Sequence, residues 1–126
     1  MRVVVDTNAL MAPVEVGVRT FEELERLLGE YEAVVPRAVA AELEALAGDH
    51  GTEATAASVG LDLLERSCEV VDHEADHADD AVLELGGRAD VDYAVTSDGP
   101  LRRRLLAANV PVISLRGRNK LEITEP

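Results

Sequence analysis

A chain of 126 residues with 25 acidic against 12 basic side chains carries a formal net charge of −13. That length predicts one domain over residues 1–126 with a real core, and no run of about 18 apolar residues is present to span a membrane. Cys68, the one cysteine, excludes an internal disulfide, and no signal segment precedes Val3, so a reducing cytoplasm is the expected compartment.

One lysine (Lys120), 2% aromatic residues and abundant Asp, Glu and Ala give the composition of a protein adapted to high salt, where carboxylate repulsion is screened. The charge is uneven. Residues 101–126 hold six basic and two acidic residues, so the only locally basic piece is the C-terminal quarter. Overall acidity argues against non-specific polyanion binding, while that local cluster can hold a few phosphates. His50, His73 and His77 have no cysteine companions at zinc-finger spacing.

In chain order, Val3, Val4 and Val5 predict a strand over 2–6, buried on both faces. "TFEELERLLGEY" (20–31) predicts a helix, with Thr20 as N-cap and Glu23 completing a capping box. "EAVVP" (32–36) is a short strand, and "RAVAAELEALAG" (37–48) a helix that Gly48 ends. Residues 54–67 form a helix weakened at Gly60, and "CEVVD" (68–72) a strand. "HADDAVLELGGR" (77–88) is a helix closed by two glycines, and "DYAVTSD" (92–98) an apolar strand. "GPLRRRLLAANV" (99–110) is a helix with Pro100 in its first turn, and 110–117 a final strand. This alternation implies an α/β fold: a parallel sheet covered by helices on both faces, with its functional crevice beyond the carboxyl ends of the strands.

Asp6 and Asp98 both fall at that edge. A carboxylate against a buried strand is costly unless something binds it, and two of them at one edge repel without a cation. Capping a following helix is the ordinary explanation for either. Glu42 borders the apolar stripe of Val39, Leu43 and Leu46, and Asp79 and Asp80 open a helix, where the dipole favours acids. Each has an ordinary structural role available. Together they are acids at strand ends and helix starts, spread over the whole chain.

"VVVDTNAL", "VPRAVAAELEAL", "ADDAVLELG", "YAVTSDGPLRRRL" and "VPVISLRGRNKLEI", in this order, resemble the PIN-domain ribonucleases from residue 2 to about 123. The look is closest to archaeal single-domain PIN proteins similar to nucleases of ribosomal-RNA processing, with VapC-type toxins as a second branch. The resemblance implies a three-layer PIN-like fold with a central parallel sheet of order 3-2-1-4-5, which makes Asp6 and Asp98 neighbours. It matches Asp6, Glu42, Asp80 and Asp98 to the family's catalytic and metal-binding acids, with Asp79 the alternative to Asp80. Asn8, Thr96 and Asp79 then orient the acids, and Arg102 and Arg103 steer RNA.

What the resemblance implies is a Mg²⁺- or Mn²⁺-dependent endoribonuclease. Carboxylate oxygens suit those ions, and a metal-activated water attacks the phosphodiester. RNA is the implied partner, with a homodimer formed through helices, and an antitoxin if the chain is of the toxin type. A non-catalytic PIN scaffold binding RNA or protein is the main rival. A phosphorylated receiver domain lacks its second acid and its lysine here, and a haloacid-dehalogenase-type phosphatase would need D-x-D where this chain has D-T-N.

Overall fold

Three valines fix where the sheet lies. Successive strand residues point to opposite faces, yet Val3, Val4 and Val5 are all fully buried, so helices cover both faces of their strand. The computed structural model describes residues 1–126. Its elements, in chain order, are β1 (Arg2–Val5), α1 (Thr7–Glu15), α2 (Thr20–Leu28), β2 (Glu32–Pro36), α3 (Arg37–Ala47), α4 (Thr52–Ser67), β3 (Cys68–Val71), α5 (Ala78–Gly86), β4 (Tyr93–Val95), α6 (Gly99–Ala107), β5 (Val112–Arg116) and β6 (Lys120–Thr124).

One sheet runs β3-β2-β1-β4-β5-β6, parallel throughout except for the last pair. The expected order 3-2-1-4-5 is therefore present, with an antiparallel β6 added beyond β5. The strand order switches between β1 and its neighbour β4, so the crevice lies where those two strands end together. Their register pairs Val5 with Val95, and the Asp6 amide donates to the Val95 carbonyl at 3.0 Å. Asp6 and Thr96 thus leave the sheet side by side.

Two elements carry no clear signature in the sequence. In α1, buried Ala9, Leu10 and Met11 are consecutive and Pro13 sits inside the helix, so no clean helical period is visible. β6 follows a tight turn at Gly117, whose φ of +65° is a backbone state that glycine adopts without strain. Its alternation of Leu121 and Ile123 with polar residues is real but short.

The capping box expected at Thr20 does not form. Arg19 takes the N-cap position of α2, and the Thr20 hydroxyl donates instead to the Ala9 carbonyl at 2.8 Å. Glu23 faces the other way. It pairs with Arg26 at 2.9 Å, and the two clasp the outer edge of β6, Glu23 accepting from the Leu121 amide and Arg26 donating to the Leu121 carbonyl. A helix thereby covers part of an edge strand that would otherwise invite pairing with another chain. These contacts hold the Glu23 carboxyl down at about 2.

Gly60 weakens α4 as an isolated helix but serves the packing. A Cβ there would stand 3.1 Å from the Leu10 carbonyl oxygen and 3.3 Å from Leu43 Cδ2, so α4 closes on α1 and α3 at this point. Because α1 begins at Asp6 and α3 carries Glu42, this contact sets the spacing of two site residues. Gly60→Val is expected to cost about 2 kcal/mol or more through overpacking. A denaturant melt checks it; an unchanged midpoint would mean the helices part without cost.

Candidate active site

Asp6 is 3% exposed, and its carboxylate is held by three donors. Oδ1 accepts from the Thr7 amide at 2.8 Å, and Oδ2 accepts from the Thr96 hydroxyl at 2.7 Å and from Asn8 Nδ2 at 2.9 Å. Asp6 therefore caps α1, as strand-end acids commonly do, and keeps one free lone pair on Oδ1. Asn8 also reaches Thr96 Oγ1 at 3.2 Å, and its Oδ1 accepts from the Ser97 amide at 3.0 Å. The D-T-N that leaves β1 and the T-S-D that leaves β4 are thus laced into one network.

Asp98 closes that network. Its amide donates to Thr96 Oγ1 at 3.1 Å. Its Oδ1 caps α6 by accepting from the Leu101 amide at 2.9 Å, while its other oxygen makes no hydrogen bond. Both edge acids are helix caps with acceptor capacity to spare.

A hollow of about 240 Å³ opens here, lined by Asp6, Asp98, Glu42, Asp79, Glu15 and Glu53, with Thr7, Asn8, Met11 and Leu46. No lysine or arginine is among them. Burial pushes the Asp6 carboxyl up to about 6, against the pull of its Thr96 and Thr7 bonds, and Asp79 and Glu42 push the same way. The Asp79 carboxyl is also raised, by partial burial and by Asp98 and Glu42, with Arg104 opposing.

Of the acids expected at the site, the structure brings Asp6, Glu42 and Asp98 together, and it brings Asp79 to them rather than Asp80. Asp80 turns to Arg104 at 2.7 Å and lines only the adjoining hollow, which Glu42, Asp79, His77 and Arg104 also line. Adjacent residues on a helix point about 100° apart, so one of the pair had to leave. Arg102 and Arg103 line neither hollow. Arg102 reaches across to Thr124 on β6 at 3.3 Å, and Arg103 is exposed and makes no hydrogen bond or ion pair. His73 is structural: its Nε2 accepts from the Ala38 amide at the start of α3.

Thr7, Glu15 and Glu53 line the hollow but were not expected there as site residues. Thr7 is the middle residue of the D-T-N motif. Glu15 and Glu53 belong to segments with no motif, and only the packing of α1 on α4 places them.

The donor set fits a hard divalent cation. It is all oxygen and carries no compensating positive charge. Thr7 Oγ1 is buried there without a hydrogen-bond partner. No three acidic or imidazole groups converge tightly enough to enclose a bare ion. A ring this loose would hold a cation through intervening waters rather than by direct enclosure.

Residues 3–118 match a family model described as "PIN like domain". The chain is 29% identical over 126 residues to Ribonuclease VapC4 of Methanocaldococcus jannaschii, covering 97% of this chain and 95% of the relative. Among solved structures, it is similar to the PIN domain endonuclease Utp24, with a TM-score of 0.82, 22% identity and coverage of 99% of this chain and 92% of that one. It is also similar to VapBC2 from Rickettsia felis bound to a promoter DNA fragment, with a TM-score of 0.60, 15% identity and coverage of 82% and 92%.

Burial of Asp6 makes stability depend on pH. An acid whose folded pKa is raised from 3.8 to about 6 binds its proton more tightly when native, so its contribution is full below pH 3.8 and is lost as pH rises through 6. Asp6→Asn loses hydrogen bonds, because an amide nitrogen would face donors, but it does not titrate. In metal-free buffer its stability relative to the parent should improve by ~2 kcal/mol between pH 4 and 7. Urea melts across that range check this; parallel curves would mean that Asp6 ionises without penalty.

Proposed function

The chain belongs to the PIN-like domain family, and from that premise we propose that it is a Mg²⁺- or Mn²⁺-dependent endoribonuclease. One observation carries the reading. Asp6, Glu42, Asp79 and Asp98, from four separate segments, line one hollow with no basic side chain among its walls. Like charges gathered at a cost to the fold call for a cation.

Asp6 and Asp98 offer oxygens directly, since each has lone pairs left after its capping bond. Glu42 and Asp79 hold and orient waters at the same rim. Thr96 and Asn8 fix the rotamer of Asp6, so that its free lone pair keeps one direction. A divalent ion supplies, when bound, a more acidic water and neutralisation of phosphodiester charge. Asp80, paired with Arg104, anchors the rim. Arg103, the unpaired and exposed member of the expected basic pair, is the residue we assign to RNA phosphate contact, about one turn beyond Asp98.

Processing of ribosomal-RNA precursors is the cellular role we infer. Its support is the C-terminal pattern YAVTSDGPLRRRL and VPVISLRGRNKLEI, which resembles PIN nucleases of ribosomal-RNA processing, on a fold that overlaps the Utp24 PIN domain over 99% of this chain. An antitoxin-controlled toxin is the second reading, favoured by the full-length match to a relative named VapC4. Expression in a host without any partner gene separates the two: growth arrest that Asp6→Asn abolishes indicates the toxin.

Three outcomes test the proposal. Asp6→Asn and Asp98→Asn are each expected to lower metal-dependent cleavage of single-stranded RNA at least 100-fold. Asp79→Asn is expected to lower it at least ten times more than Asp80→Asn. Full activity in Asp98→Asn, or equal losses at 79 and 80, would overturn the assignment. Arg103→Glu should weaken RNA affinity more than Arg102→Glu, measured with Ca²⁺ in place of Mg²⁺ across a salt series, with a slope change of roughly 0.7 for one lost phosphate contact.

A further inference from the structure

A second hollow adjoins the acidic one, and its character is opposite. About 120 Å³ in size, it is walled mainly by apolar groups: the buried Val95, Ile113 and Leu121, and the half-buried or exposed Ala12, Leu115 and Val16, the last 50% exposed. Asn8 and Glu15 line both hollows, so the two are continuous along α1. Asn8 is consumed by its bonds to Asp6, Thr96 and Ser97. Glu15 makes no hydrogen bond or ion pair and is exposed. It is also the last residue of α1, at the negative end of the helix dipole, where a carboxylate is disfavoured. Glu15 is thus an unpaired acid standing between an anionic hollow and an apolar one, free to take a ligand's donors.

We propose that this cleft receives the base of the nucleotide next to the scissile phosphate, and that Glu15 selects guanine. The inference rests on the ribonuclease reading of the acidic hollow. Apolar walls suit the faces of a heterocycle, as in sites that stack a displaced base between apolar side chains. The cleft is too small for an amphipathic helix, whose anchors at i, i+4 and i+7 need a groove several turns long. Apolar walls also exclude a hydrated ion or a phosphate as its occupant.

Selection follows from the edge of the base. A carboxylate only accepts, and its two oxygens take two parallel N–H donors. The Watson–Crick edge of guanine presents two adjacent donors, N1–H and the N2 amino group. Adenine and cytosine place an acceptor beside their amino group, and uracil flanks its one N–H with carbonyls. Each of these three would set a lone pair against Glu15. The amide introduced by Glu15→Gln would present one acceptor and one donor, which matches adenine.

The test reads the cleft directly. Methyl resonances of Ala12, Val16 and Leu115 are followed while guanosine, inosine and adenosine 5′-monophosphates are titrated separately in Mg²⁺ buffer. Guanosine monophosphate should bind at least tenfold more tightly than the other two, inosine failing because it lacks the N2 amino group. Glu15→Gln should erase the guanine preference and improve adenosine monophosphate binding. Ala12→Leu, which fills the cleft, should abolish the response to all three. Methyls that respond to no nucleotide, or equally to all three, would overturn the proposal, as would an unchanged preference in Glu15→Gln. A chain that binds guanosine monophosphate here but cleaves no RNA would sink the nuclease reading and leave the base site standing. One that cleaves RNA with silent methyls would sink the base site alone.

Discussion

A carboxylate buried at the end of the central strand is the constraint around which this molecule is arranged. Asp6 is 3% exposed, and its ionised form is tolerated because the Thr7 amide, the Thr96 hydroxyl and the Asn8 amide all point at it. Burial raises its pKa more than the Thr96 and Thr7 bonds lower it, leaving it at about 6. The carboxylate is thus held in one orientation without being fully satisfied. A group in that condition gains from a cation, and the neighbouring acids gain with it.

The topology makes this possible. Only because β1 and β4 are adjacent and parallel do Asp6 and Thr96 emerge together, and only because α1 and α6 start at once do Asp6 and Asp98 become caps. Capping and site-building are one arrangement here. A cap needs a single acceptor lone pair, and a carboxylate has about four. α3 and α5 pack on each other and bring Glu42 and Asp79 to the same rim. The approach of α4 to α1 at Gly60 governs how far Glu15 and Glu53 stand from it.

Much of this was legible in the sequence. Consecutive β-branched residues marked β1, and an acid directly after one apolar run (Asp6) and two polar residues after another (Asp98) marked the sheet edge. What sequence could not resolve was direction around a helix at single-residue grain. Asp79 and Asp80 both begin α5, and the choice between hollow and Arg104 is made by α6, a partner distant in sequence. Arg102 shows the same limit: it was expected at the crevice, but β6, itself unforeseen, takes its guanidinium through Thr124. The capping box at Thr20 failed for a similar reason, because Glu23 had a better use at the edge of β6. Glu15 carried no motif at all. Its position matters through two hollows that exist only after α1 has packed against the sheet and α4.

The central claim is that Asp6 is kept partly protonated near pH 6 by burial and gives up its proton to a cation. Calorimetric titration of Mn²⁺ into the protein at pH 6, in two buffers of different ionisation enthalpy, measures that proton directly. The account predicts buffer-dependent heats reporting a fraction of a proton released per ion, a release that fades toward pH 8 and is absent in Asp6→Asn. Heats that do not depend on the buffer at pH 6, or the same release from Asp6→Asn, would contradict it.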